Sequence, residues 1–109
     1  MGNKKSYDVF VRDTLVFNYL REHKGEENKV TSYDVQAFLE GHGYKIKRRN
    51  IGSLVNKIMY DRNAPICFSN KKGYYWATSR EELEKTIQDM ESRRRALQEH
   101  IDHLKGFMI

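Results

Sequence analysis

The run KRRNIGSLVNKIMY at residues 47–60 places Ile51, Leu54, Val55 and Ile58 at i, i+3, i+4 and i+7. That spacing predicts an amphipathic helix with one buried stripe. The opposite face carries Arg49, Asn50, Ser53, Asn56 and Lys57, all polar and all short enough or long enough to touch a partner. Lys47, Arg48 and Arg49 crowd the amino end, where cations oppose the helix dipole at a cost of about 0.3–1 kcal/mol each. Stability alone does not account for three of them there. Contact with a polyanion does, because a phosphate converts the same charges into a binding term.

The flanking sequence predicts a second helix just upstream, opened by Thr31 or Ser32 with Asp34 as a capping partner and Val35, Phe38 and Leu39 as its buried side. Gly41 and Gly43 around His42 then turn the chain sharply. Further upstream a first helix is expected over 7–24, capped by Ser6, with Phe10, Val16, Phe17 and Leu20 inward and Gly25 ending it. A polar linker at 26–29 joins the first two helices. Downstream, Pro65 excludes more helix, and 66–69 and 74–78 read as two short strands around a basic turn that carries Lys71 and Lys72. Tyr74, Tyr75 and Trp76 alternate faces on the second strand, so at least one of them packs inward and a base-stacking platform is disfavoured.

The final segment is the most regular. Ser79 and Glu82 form a capping box, and Glu81, Glu82 and Glu84 suit the positive end of a helix dipole. Leu83, Ile87, Met90, Arg94, Leu97, Ile101, Leu104 and Met108 then recur at alternating spacings of four and three, a heptad seam interrupted only by Arg94. A helix of about 28 residues, roughly 42 Å long, is expected. The stripe is narrow enough to suit a second helix better than a globular surface.

Charge is divided unevenly along the 109 residues. Residues 1–78 hold 14 Lys and Arg against 8 Asp and Glu, and residues 79–109 hold 6 against 7, so the net +5 arises entirely in the first part. Lys45, Lys47, Arg48, Arg49, Lys57, Arg62, Lys71 and Lys72 against the one acid Asp61 make the window 45–72 alone +7. Such a field favours nucleic acid over acidic or neutral partners. The single Cys67 forms no internal disulfide, and a packed strand thiol is its plainest role. His100 and His103 share a helix at a metal-compatible spacing without an evident third ligand. No Gly-rich phosphate loop and no nucleophile with a recognisable base is present, which argues against an enzyme and implies neither cofactor nor metal. No stretch is long and apolar enough for a membrane span, and a cytoplasmic protein is expected.

Helix, helix, turn, helix and hairpin is the order of a winged helix-turn-helix. Thr31-Ser32-Tyr33-Asp34-Val35 with Arg49-Asn50-Ile51-Gly52-Ser53-Leu54 resembles the two helices of that motif, and Gly73-Tyr74-Tyr75-Trp76-Ala77 resembles the returning strand of a wing. The chain is similar in layout to small bacterial and prophage winged-helix proteins with an added C-terminal helix, such as PadR-type regulators. The usual Ser or Thr at the start of the reading helix is replaced by Lys47-Arg48-Arg49.

The resemblance implies a mainly α protein with a small β-hairpin: a winged helix-turn-helix domain over 1–78, then a dimerising coiled-coil helix over 79–109. It implies a DNA-binding transcriptional regulator, homodimeric, that meets duplex DNA with Lys45, Lys47, Arg48, Arg49, Asn50, Ser53, Asn56 and Lys57 on the reader and Lys71 and Lys72 on the wing. Arg49 suits guanine N7 and O6, and Asn50 or Asn56 an adenine edge. The rival expectation is a phage protein-binding winged helix, a replication organiser or an inhibitor of a host enzyme, docked through its C-terminal helix. RNA binding is a third, disfavoured because the A-form major groove does not admit a helix.

Overall fold

The computed structural model describes residues 2–69 and 73–108, and side chains from residue 7 onward. The chain forms α1 (Gly2–Glu22), β1 (Val30–Thr31), α2 (Ser32–Gly41), α3 (Ile51–Asp61), β2 (Ile66–Phe68), β3 (Gly73–Trp76) and α4 (Arg80–Lys105). Short 3-10 turns at Glu26–Asn28 and Arg48–Asn50 precede β1 and α3. The protein is mainly α, with a small antiparallel sheet and one long C-terminal helix, as the sequence predicts. Lys71 and Lys72, in the expected wing turn, lie outside the described residues.

The predicted stripes close one core. Val16 and Leu20 of α1, Val35 and Leu39 of α2, and Ile51, Leu54, Val55 and Ile58 of α3 are all buried, with Ile66 of β2 among them and Tyr74 and Trp76 of β3 packed against them. Phe10 is the exception: it is 61% exposed and carries the Arg62 guanidinium over its ring at 5.0 Å. α1 also begins earlier than expected, at Gly2, so Ser6 lies within the helix instead of capping it. Nothing in 3–6 breaks a helix, and propagation from an established turn adds one bond per residue. The three aromatics of β3 alternate as the pleat requires. Tyr75 is fully buried on the sheet face away from that core, beside Cys67 and Thr86, where burial pushes its phenol up to about 12, while Tyr74 packs edge-on against Phe68 and Trp76 against Phe17.

The linker before α2 contains a strand the sequence did not announce. β1 pairs antiparallel with β3 through Val30 and Tyr74, and β3 pairs with β2 through Cys67 and Tyr75, giving the order β1-β3-β2. A two-residue strand has no alternation to detect, and its bonding partner lies more than forty residues away. The end of α1 is tied to the same strand: Trp76 N–H donates to His23 O at 2.8 Å, and Gly25 N–H donates to Trp76 O at 2.9 Å. Gly25 makes this return with φ of +84° and ψ of 153°, a conformation open to glycine and strained for other residues.

α4 starts where predicted and stays tethered to the body through one carboxylate. Ser79 Oγ accepts from Glu82 N–H at 3.2 Å, which is half of the expected capping box. The Glu82 carboxylate itself reaches chiefly one residue further back, accepting from Thr78 N–H at 2.8 Å and Thr78 Oγ at 2.9 Å through Oε1. Its Oε2 accepts from Glu26 N–H at 2.9 Å across the chain. These donors, the Thr78 amide foremost, hold the carboxyl below its ordinary value near 4.5. Beside this anchor Cys67, fully buried, directs its thiol to Glu82 O at 3.7 Å, and Thr86 is buried against the domain.

Two outcomes follow from this arrangement. Gly25→Ala is expected to cost on the order of 1–3 kcal/mol by forcing a side chain into that backbone region, read as a lower midpoint in urea unfolding. A depressed folded pKa means that Glu82 contributes stability fully above about pH 4.5, and that this contribution fades as pH falls toward the folded value. Glu82→Gln should therefore be less stable at pH 7 and show a shallower loss of stability between pH 5 and pH 3 than the parent, both in the same urea titrations.

Candidate nucleic-acid interface

The approach to α3 is set by α2 and the turn that follows. Thr31 and Asp34 form a reciprocal capping box: Asp34 N–H donates to Thr31 Oγ1 at 3.2 Å, and Thr31 N–H donates to Asp34 Oδ2 at 2.9 Å. Gly43 reverses the chain at φ of +85°, and Tyr44 N–H returns to Leu39 O at 2.9 Å. Gln36 Nε2 then donates to Ile46 O at 2.9 Å, which fixes the segment carrying Lys45 and Lys47 against α2.

α3 proper begins at Ile51, four residues later than predicted, because 48–50 form a 3-10 turn. Asn50 N–H donates to Lys47 O at 2.8 Å and Ile51 N–H to Arg48 O, so the amides of both residues are used within the turn. Asn50 offers no side-chain cap. The backbone amides of Asn50 and Ile51 are therefore not open to an anion, and the cationic side chains are left as the principal groups facing outward.

Lys45, Lys47, Arg48, Arg49 and Asn50 are exposed, and so are Ser53, Asn56 and Lys57 along α3. Lys45, Lys47 and Arg49 enter no ion pair among the described residues. Arg48 instead lies over the Tyr33 ring at 4.2 Å, a cation–π contact that holds the guanidinium at the mouth of α3 without neutralising it. Tyr33 was not among the predicted site residues. Its signal was available, since it sits off the Val35, Phe38, Leu39 stripe and is an aromatic with no core to enter.

Two cations of the basic window turn the other way. Lys57 Nζ donates to Asp13 Oδ2 at 3.0 Å, and Arg12 holds Oδ1 at 3.0 Å from the neighbouring position. Asp13 is only 6% exposed, so this pair ties α3 to α1 and takes Lys57 out of the freely outward set in which the sequence reading put it. Arg62 likewise donates to Thr14 Oγ1 at 2.8 Å and stacks on Phe10 and Phe17. Asn56 lies at the far edge of the face, where it lines a cleft with Met59, Phe68 and Met90 between α3, β2 and α4.

The seam of α4 faces outward along most of the helix. Leu83, Ile87, Met90, Leu97, Ile101 and Leu104 are all exposed, from 39% at Leu83 to 64% at Leu97, and Arg94 is exposed among them. Met108, the last predicted member, falls beyond the helix end at Lys105. Among the described residues no group of three or more His, Cys, Asp or Glu is placed to hold a metal ion, and no helix is long and apolar enough to cross a membrane. Compared with known protein families, with curated proteins and with solved structures, the chain matches none.

The two kinds of cation separate by stability. Lys57→Met is expected to destabilise by about 1 kcal/mol, a buried-pair penalty discounted for the half-exposed lysine and for Arg12 remaining beside Asp13. Lys47→Met and Arg49→Met should leave stability unchanged or raise it by up to ~1 kcal/mol, since each removes a charge opposed by the helix dipole. Urea unfolding of the three variants at low salt measures both.

Proposed function

We propose that this chain is a winged helix-turn-helix protein that binds duplex DNA through the mouth and outer face of α3, pairs with a second copy through α4, and acts as a small transcriptional regulator of the bacterial or phage type. The observation that carries the reading is the sorting of its cations. Lys57 and Arg62 are engaged by Asp13 and Thr14 of α1, whereas Lys45, Lys47 and Arg49 face outward without an acid partner among the described residues, and Arg48 is propped beside them on Tyr33. Unneutralised cations grouped at one helix end carry a cost in the free protein and bring a return only against polyanion.

The element order supports the same reading, because α2, a tight turn and α3 are followed by the antiparallel pair β2 and β3, between which the sequence carries Lys71 and Lys72. The exposed Asn50, Ser53 and Asn56 continue from Arg49 along α3, a row suited to the edges of bases in a major groove. A cytoplasmic, non-enzymatic role without a cofactor belongs to this proposal. The exposed stripe of α4 also favours a second reading, in which a host protein docks on that helix and the isolated chain is a monomer. Light scattering after gel filtration separates the two, with a dimer at micromolar concentration expected here.

Duplex binding is tested by Arg48→Ala combined with Arg49→Ala, followed by fluorescence anisotropy on a random-sequence duplex at several salt concentrations. If the four outward cations of one protomer meet phosphates, log K falls with log salt at a slope near about −3.6 for each protomer. The double variant should lose about half of that slope and at least tenfold in affinity for every duplex tried. Parental affinity and slope in the double variant would overturn the assignment of the α3 mouth.

A further inference from the structure

We infer that Tyr33 and Arg48 form a preset clamp for one backbone phosphate of the duplex, the Tyr33 ring positioning and the Arg48 guanidinium touching; this rests on the reading of the α3 mouth as the DNA-binding end. Tyr33 is 62% exposed and takes no part in the core, yet its ring centre lies 4.2 Å from the Arg48 guanidinium carbon. Both partners stand on fixed backbone. The Thr31–Asp34 box closes the first turn of α2 around Tyr33, and the 3-10 turn that carries Arg48 is closed by Asn50 N–H on Lys47 O at 2.8 Å. Gln36 Nε2, bonded to Ile46 O at 2.9 Å, ties the two elements together just before that turn.

A guanidinium over an aromatic ring is attracted through its face, and the N–H groups along its edge stay open to an acceptor. Arg48 enters no ion pair among the described residues, and the carboxylate of Asp34, next in the chain to Tyr33, already caps Thr31 N–H. The charge is thus held in place and left uncompensated, ready for a charge-assisted bond to an anionic oxygen. Arg49, one residue further on, has no such support among the described residues and gives up its rotamer freedom only on binding. Direction separates backbone from base. The Tyr33 ring draws the Arg48 head toward the start of α2, whereas the row of Asn50, Ser53 and Asn56 continues along α3. Beside a helix laid in the major groove stand the phosphates, and against its outer face the base edges. The clamp therefore acts on every duplex alike.

The test is fluorescence anisotropy of the full chain on two duplexes of equal length, one all dA·dT and one all dG·dC, at one low salt concentration. Tyr33→Ala should lose about three- to fivefold in affinity on both, as expected for one exposed cation–π contact. Tyr33→Phe, which keeps the ring, should bind as the parent does. Once Arg48 is alanine, Tyr33→Ala should cost nothing more, whereas beside Arg49→Ala its loss should multiply in full. Parental binding by Tyr33→Ala overturns the clamp, and so does a loss that persists after Arg48→Ala or is confined to one duplex. Equal losses in Tyr33→Ala and Tyr33→Phe make the hydroxyl the acting group and overturn it too. A parent that binds neither duplex overturns the DNA reading of the α3 mouth itself, which all the other outcomes leave standing.

Discussion

Burial of the α3 stripe is the constraint on which the remaining geometry rests. Ile51, Leu54, Val55 and Ile58 are all inside, against α1 and α2. At about 1.5–3 kcal/mol per fully buried side chain they contribute something like 6–12 kcal/mol before entropy. No rotation of α3 about its axis keeps that contribution, so the polar positions between the stripe residues are forced outward. Asn50, Ser53 and Asn56 face solvent because their neighbours cannot. The cost of crowding cations at the same helix end is about 0.3–1 kcal/mol each, well below the burial term, and the fold can carry it.

Electrostatics then divides one basic window into two roles. Asp13, almost fully buried on α1, requires partners, and Lys57 and Arg12 supply them. That cluster serves the packing of α1 on α3. The cations before Ile51 enter no ion pair among the described residues, and the aromatic ring of Tyr33 gives Arg48 direction without cancelling its charge. A count of basic residues treats these groups alike, although only one of them is available to an external anion.

The long helix is held by a small contact. Glu82 gathers the Thr78 and Glu26 amides, and Thr86 is buried just one turn later, after which α4 leaves the body. Lys85 adds an outer tie to Glu26 at 3.0 Å. Because the anchor occupies only the first two turns, the seam from Ile87 to Leu104 is not used by the chain's own core. The proposed dimer and the proposed grip on DNA are thus mechanically joined through a few residues around 78–86.

Periodicity and capping are local, and whatever they govern was legible from the residues alone: the buried faces of α2 and α3, the Thr31–Asp34 box, the start of α4 and the narrow stripe along it. Each depends on spacings of three or four residues. The pairing of β1 with β3, the bond from Glu26 to Glu82 and the ion pair of Asp13 with Lys57 join positions 42 or more residues apart, and no short-range pattern encodes them. Phe10 left the core and Lys57, still exposed, acquired an acid partner for the same reason. Whether a side chain faces the interior or water is fixed by what the folded chain brings opposite it, and only the tertiary structure supplies that neighbour.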